Sequence, residues 1–238
     1  MKFRPALIRG TLIKRYKRFL ADVILEPSGE KITAYVPNTG SMKSCLFPNA
    51  PIALSYHSDS GRKLPYTLEM IYTGEFWIGI NTSLTNQLVE EALREKKICS
   101  LTTLNKISRE VSILKSRLDF LLESELPQQT EKLYLEVKNV SYKNETLHHE
   151  AQFPDAVTSR GLKHLEDLVQ IKKSGHRAGI FYLVQRMDCH HFSIAEHIDP
   201  DYARAFKMAV QQGVEVFVYQ AHISPTEISL NKELPWNS

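Results

Sequence analysis

Cysteine is scarce in this chain: Cys45, Cys99 and Cys189 are the three among 238 residues. They are odd in number and far apart, which argues against a disulfide framework or a Cys-rich zinc site and points to a reduced, cytoplasmic setting. No run approaches the roughly 20 uninterrupted apolar residues of a membrane helix, so no membrane partner is expected. The opening Met1-Lys2-Phe3-Arg4-Pro5 segment is too interrupted by charge to read as a signal peptide. A Gly-rich phosphate loop is lacking, and no Ser-His-Asp arrangement can be defended from spacing. Internal repeats and low-complexity tracts are lacking too. Acidic residues are missing from the start, where Lys2, Arg4, Arg9, Lys14, Arg15, Lys17 and Arg18 all precede Asp22. Beside Tyr16 and Phe19, that block suits a phosphate backbone and equally suits a solvated edge strand.

What is present is ordinary for a soluble globular protein: 42% hydrophobic residues, 24% charged residues and a net charge of +3. The length accommodates one large domain or two modest ones. Residues 5–80 read as all-β, with runs at 6–15, 19–25, 32–36, 52–56, 66–72 and 76–80 separated by Gly, Pro, Asn and Ser clusters. Such short strands predict a small OB-type barrel. The pattern shifts at Asn81-Thr82-Ser83. Beyond it, Leu84, Leu88, Val89, Ala92 and Leu93 recur at helical spacing behind a capping residue, dividing the chain into domains 1–82 and 83–238. The second part predicts a helix over 83–96, strands around 111–114, 117–122 and 133–140, and a helix over 158–173. A strand over 178–185, a helix over 200–212 and a strand over 215–219 complete an α/β core. The tail after Ser224 gives no element.

Asp119 lies in Ser116-Arg117-Leu118-Asp119-Phe120, and Glu136 and Lys138 lie in Tyr134-Leu135-Glu136-Val137-Lys138. Both stretches alternate at period two, so Leu133, Leu135 and Val137 point one way while Tyr134, Glu136 and Lys138 point the other. Pro127 and the polar run after it suit a hairpin-like connection over 124–132. If the strands pair, Asp119 meets Glu136, with Lys138 two residues beyond. Metal-dependent phosphodiester cleavage uses such a set: carboxylates to hold a hard divalent cation and a lysine to orient or activate water. The plainer reading is a cross-strand polar face in which Arg117 and Lys138 pair with the carboxylates.

Several motifs occur in one order along the chain. They are Arg15-Tyr16-Lys17-Arg18-Phe19-Leu20-Ala21-Asp22-Val23, Pro37-Asn38-Thr39-Gly40-Ser41-Met42, Arg62-Lys63-Leu64-Pro65-Tyr66-Thr67 and Trp77-Ile78-Gly79-Ile80-Asn81-Thr82. After them come Ser116-Arg117-Leu118-Asp119-Phe120-Leu121-Leu122, Glu136-Val137-Lys138-Asn139-Val140, Phe153-Pro154-Asp155-Ala156-Val157-Thr158-Ser159-Arg160-Gly161, Lys163-His164-Leu165 and Ile198-Asp199-Pro200-Asp201-Tyr202-Ala203. Over nearly its whole length the chain resembles the sugar fermentation stimulation protein A family of bacteria and archaea. One departure is Tyr35-Val36, where family members usually carry His or Cys shortly before Pro-Asn-Thr-Gly. The resemblance implies an N-terminal OB-like domain and a C-terminal domain of the PD-(D/E)xK nuclease type, its mixed central sheet flanked by helices. It also implies DNA binding without sequence preference and a link to the regulation of sugar, especially maltose, metabolism.

Together with the resemblance, the metal reading prevails. Asp119 and Glu136, aided by the Val137 carbonyl, are expected to bind Mg2+ or Mn2+, and Lys138 to position water or stabilise developing charge. Arg117 is placed to touch phosphate. Glu91 is the candidate for an additional acid, with Glu90 competing; either is otherwise helix surface. Gln185 is a weaker candidate, with an edge glutamine as the plain alternative. Arg160, Lys163 and His164 follow a helix start suited to phosphate, while Asp155 either joins them or bonds loop backbone N–H groups. Arg15, Tyr16, Lys17, Arg18 and Asn38 form the expected contact set of the barrel. Asn38-Thr39-Gly40-Ser41-Met42 also reads as a constrained turn with Gly40 at positive φ. Cys189-His190-His191 and His148-His149 read as loops with adjacent histidines. The expected function is phosphate-driven, non-specific DNA binding, and the alternative is an active Mg2+- or Mn2+-dependent nuclease on DNA or RNA. A metabolic regulator acting through protein partners is a third reading, and fold analogy allows a homodimer.

Overall fold

The computed structural model describes residues 1–58, 61, 63–114, 116–124, 131–144, 146 and 149–237. Strands β1 (Ile8–Tyr16), β2 (Leu20–Leu25), β3 (Lys31–Tyr35), β4 (Pro51–Tyr56), β5 (Tyr66–Tyr72) and β6 (Trp77–Gly79) run in the sheet order β3-β2-β1-β4-β5-β6. A pairing of β3 with β5 closes the sheet into a barrel. Alternating apolar residues cause this, because Leu12, Val23, Ala34, Ile52, Leu54, Leu68 and Ile71 all turn into one core.

After Asn81 caps a short 3-10 turn (Thr82–Leu84), helix α1 (Thr85–Arg94) begins. Strands β7 (Lys106–Ile113), β8 (Ser116–Glu123) and β9 (Lys132–Val140) follow, then β10 (Glu150–Phe153), α2 (Ser159–Lys173), β11 (Arg177–Val184) and β12 (His191–Ile194). The chain closes with α3 (Pro200–Gln211), β13 (Glu215–Ile223), β14 (Ile228–Glu233) and β15 (Trp236–Asn237). The central sheet has the order β14-β13-β11-β9-β8-β7 and is mixed: β9, β11 and β13 run parallel and the outer strands antiparallel. Strands β10, β12 and β15 make a small parallel sheet beside it.

Side-chain alternation along β9 sorts the helices onto two faces. Leu133, Leu135 and Val137 pack with Leu88 and Val89 of α1, whereas Tyr134 packs with Leu165 and Leu168 of α2 and Phe206 of α3. Two features depart from the sequence pattern. The tail after Ser224 forms edge strand β14, whose Ile228 and Leu230 complete the core on the α1 side. The first residues leave the barrel: Lys2 bridges to Glu227, and Phe3 N–H donates to Thr226 O at 3.0 Å. Residues 125–130 of the expected hairpin connection lie outside the described residues.

The barrel and the second domain are joined by partly buried polar contacts. Asp155 Oδ2 accepts from Ser41 N (2.7 Å), Ser41 Oγ (3.3 Å) and Met42 N (3.4 Å). Hydrogen bonds to a charged acceptor contribute about 1.5–3 kcal/mol each when well formed. Gly40 is required there because a Cβ would collide with the Asp155 carboxylate, not because of its backbone. The positive φ expected at Gly40 belongs instead to Met42, at 55°.

Candidate functional site

Strands β8 and β9 pair in register from Glu123 opposite Lys132 to Phe120 opposite Leu135. The next pair would set Asp119 against Glu136. There the ladder opens, and Asp119 Oδ2 takes the Val137 N–H itself, at 2.7 Å. A strand residue directs its N–H and C=O toward the same neighbour, so the Val137 carbonyl faces this gap as well. From the other side, Asn86 on the first turn of α1 donates to Asp119 Oδ1 at 2.6 Å.

Glu136 is 3% exposed and sits beneath α2. Its Oε1 accepts from Lys138 Nζ at 2.7 Å and contacts His164 Nδ1. Lys138 Nζ also lies 3.3 Å from His164 Nδ1. The other oxygen, Oε2, is buried with no hydrogen-bond partner among the described residues. A buried carboxylate oxygen left unpaired is costly, and a hard cation is the partner it fits. Among the described residues no three His, Cys, Asp or Glu side chains converge, so a cation here would rely on the two carboxylates, a carbonyl and water.

The two carboxyls are driven apart in acidity. Burial and the neighbouring Glu136 charge raise Asp119 from 3.8 to about 6, against the opposing hydrogen bonds from Val137 and Asn86. Burial also pushes Glu136 upward, but His164 and Lys138 outweigh it and hold the group below its usual value. Near neutral pH Glu136 is therefore the firm anion, and Asp119 is the group that titrates. Because the folded state binds the Asp119 proton more tightly than the unfolded chain does, this group costs stability as pH rises from about 4 through 6. Asp119→Asn is expected to stabilise the metal-free protein at pH 8 by up to about 3 kcal/mol and to change little at pH 4. Urea unfolding at the two pH values measures this, and equal effects at both would contradict it.

The other expected residues fall into distinct places. Glu91 is not brought to the pair: its carboxylate takes the Met1 ammonium at 2.6 Å. Glu90 bonds Arg94 and Arg109 instead. Arg117 turns toward β7 and pairs with Glu110 at 2.9 Å. Lys163 bonds Asp167 and Ser116 Oγ on the surface of α2, while Arg160 is exposed at the helix start. His164, expected at a phosphate, is buried against Glu136 and Lys138. Arg15 spends its guanidinium on the carbonyls of Asn38 (2.9 Å), Gly40 (3.1 Å) and Ser41 (3.2 Å), and its Nε on Arg18 O. Asn38 is buried, donating to Ile80 O and accepting from Gly40 N. These two build the turn rather than present themselves to solvent. Tyr16 OH bonds Asp22 at 2.9 Å, and Lys17 and Arg18 stand exposed at the β1–β2 hairpin. Gln185 is no edge residue: it is 1% exposed, bonds Thr85 and Asn139, and its backbone carbonyl accepts from Gly79 of the barrel. His149 and His190 stack at 5.1 Å, His149 Nδ1 lies 2.9 Å from Asp188 O, and His148 is outside the described residues.

Between the two halves, next to Lys138, opens a cavity of about 300 Å³. Thr39 and Gly40 line it from the barrel, Lys138 and Asn139 from β9, and Pro154 and Arg160 from the run into α2.

A family model described as "Sugar fermentation stimulation protein RE domain" matches residues 83–227, and one described as "SfsA N-terminal OB domain" matches residues 13–80. The chain belongs to the SfsA family. It is 46% identical over 224 residues to the sugar fermentation stimulation protein homolog of Desulfotalea psychrophila, covering 94% of this chain and 92% of that one. The homolog of Geotalea daltonii is 45% identical over 236 residues, covering 99% of both. Pyrococcus furiosus SfsA, solved in complex with Ca2+, superposes with a TM-score of 0.88 at 24% identity, over 100% of this chain and 98% of that one. The fold shared with that structure is an N-terminal OB barrel followed by an α/β domain with a mixed central sheet.

Asn86 and the buried role of His164 escaped the sequence reading. Both had a signal: Asn86, Val89 and Leu93 share one face of α1, as His164, Leu168 and Ile171 share one of α2. A polar residue on an apolar stripe must find a partner inside the fold.

Proposed function

We propose that this SfsA protein binds nucleic acid through its phosphates and holds a divalent cation, Mg2+ or Mn2+, between Asp119 and Glu136 for phosphodiester hydrolysis. The observation that carries this is the buried Glu136 Oε2 beside Asp119, without a hydrogen-bond partner among the described residues, with Lys138 at hydrogen-bonding distance from the same carboxylate. The Ca2+ complex of the Pyrococcus furiosus protein supports a hard cation. Such a cation, when bound, supplies charge neutralisation and an acidified water. The chain does the rest. Asn86 and the Val137 N–H hold the Asp119 carboxylate in place, while His164 orients Glu136. Lys138 keeps an ammonium at the rim of the interdomain cavity, where a phosphate oxygen gains negative charge. Arg160, exposed on the same cavity, offers a second cation to the backbone.

Non-specific DNA binding without turnover is the second reading, favoured by the exposed Lys17 and Arg18 hairpin, which needs no catalytic centre. Phosphate contacts predict an affinity that falls steeply as salt rises. Labelled single- and double-stranded DNA and RNA, incubated with Mg2+, Mn2+ or EDTA, separate the readings. Cleavage dependent on metal supports hydrolysis. Salt-sensitive gel shifts on intact substrate support binding alone, and affinity that ignores salt contradicts both.

A further inference from the structure

A second cavity, of about 690 Å³, lies on the outer face of the barrel, and neither Asp119 nor Glu136 lines it. Its floor is built by three strands. Thr67 on β5 is flanked in register by Tyr35 of β3 and Ser55 of β4, and Glu69 follows two residues on along the same strand. The segment Asn81, Ser83 and Leu84, which leads out of the barrel, forms a further wall.

The polar groups inside are unusual for the outside of a barrel. Thr67 is 3% exposed, and its Oγ1 has no hydrogen-bond partner among the described residues. Glu69 is 6% exposed and accepts one hydrogen bond on each oxygen, from Ser55 Oγ at 2.6 Å and Asn81 Nδ2 at 2.8 Å. A carboxylate oxygen has room for a second donor, so both oxygens keep an accepting direction. Burial pushes the Glu69 carboxyl above its ordinary value, against the opposing bonds from Ser55 and Asn81. Around these acceptors stand the flat or apolar surfaces of Tyr35, Pro37, Leu64 and Leu84. The exposed end carries His57 and Lys63.

We propose that this cavity binds a guanine nucleotide, its base edge on Glu69 and Thr67 and its phosphate at Lys63. Guanine presents two adjacent N–H donors on one edge, which matches a carboxylate with both oxygens open. Adenine and cytosine each present an amino group beside an acceptor, and the acceptor would face the Glu69 charge. Apolar walls suit a flat base better than a polyol, and the Lys63 ammonium at the exposed end suits an anionic tail and opposes a cationic ligand. The nucleotide comes either free or at the end of a strand. Neither Asp119 nor Glu136 lines this cavity, so the proposal does not depend on the hydrolysis reading.

Calorimetric titration of the full chain with GMP, AMP, CMP, guanosine and glucose 6-phosphate tests it. GMP is expected to bind at least tenfold more tightly than AMP or CMP. Glu69→Gln and the nearly isosteric Thr67→Val should each weaken GMP about tenfold, with circular dichroism confirming the fold. Lys63→Ala should weaken GMP but leave guanosine unchanged, and Asp119→Ala should bind GMP as the unaltered protein does. Oligonucleotides with guanine at the terminus or only inside the strand identify the source: competition with GMP by the terminal form alone assigns a strand end, and by neither assigns the free nucleotide. Absence of GMP binding at millimolar concentration, equal binding of AMP, preference for glucose 6-phosphate, or indifference to both Glu69→Gln and Thr67→Val would overturn the proposal.

Discussion

Glu136→Gln is expected to reduce metal-dependent cleavage by at least about 10³-fold, and Lys138→Ala by about 10²–10³-fold, for different reasons. The amide would keep the shape of the Glu136 side chain but remove the charge that a buried Oε2, unpartnered among the described residues, holds ready. It would also leave His164 and the Lys138 ammonium without their anionic partner. Metal affinity should therefore collapse together with turnover. Lys138→Ala leaves both carboxylates and the His164 contact in place, so metal affinity should stay within about tenfold while turnover falls. Calorimetry with Mn2+ beside a cleavage assay distinguishes the two patterns. Full activity in either variant would reject the roles given to these side chains. Loss of metal affinity in the lysine variant would reject its assignment as a phosphate-facing group.

Arg186→Ala is expected to cost about 3–5 kcal/mol of stability. Arg186 is 2% exposed, and its fork grips Asp188 through Nε (2.7 Å) and Nη2 (2.8 Å). Its remaining nitrogen donates to Ser141 O at 2.8 Å, at the end of β9, and to Ser44 Oγ at 3.2 Å, in the loop after the barrel's Pro-Asn-Thr-Gly turn. Its backbone bridges to Ile78 on β6. One side chain thus pins the barrel to the second sheet. Burial would raise Asp188, but Arg186 outweighs it and holds the carboxyl at about 2. Truncation leaves that charge with Lys143, at 3.0 Å, and the weak thiol donor of Cys189. Arg186→Lys should recover little, since a single ammonium cannot serve a bidentate carboxylate and two distant oxygens at once. Adding Asp188→Asn to Arg186→Ala should restore part of the loss by removing the uncompensated charge. Urea unfolding measures each variant, and a cost under about 1 kcal/mol for Arg186→Ala would contradict this account.

Much of this architecture was legible in the residues. Period-two alternation in the first 80 positions gave the barrel, and helical spacing from Leu84 gave α1. In β9 the same alternation put Leu133, Leu135 and Val137 on one face and Glu136 on the other, as the structure has it. Where the reading fell short, the missing quantity was distance between segments far apart in sequence. Arg15 and Asn38 carry the composition of a phosphate surface, yet their polar atoms close on the turn at 38–41 and on Ile80 O. Glu91 has the chemistry of a metal ligand, but the chain's first residue captures it. Strand β14 gave no sign because an edge strand buries too few residues to enforce a pattern: Ile228 and Leu230 are buried and the rest of it faces outward.

The sequence by itself determined the family, the barrel followed by an α/β domain, and the three residues Asp119, Glu136 and Lys138 as the place to look. Local periodicity and an ordered set of motifs suffice for that, because strand and helix patterns depend on neighbours along the chain. Only the tertiary structure decided that Asn86 and His164 hold the carboxylates, that Gly40 yields to Asp155, and that a second polar cavity sits on the barrel. Each depends on which remote groups meet when the core closes: a buried polar atom must find a partner, and the packing of the whole chain selects it.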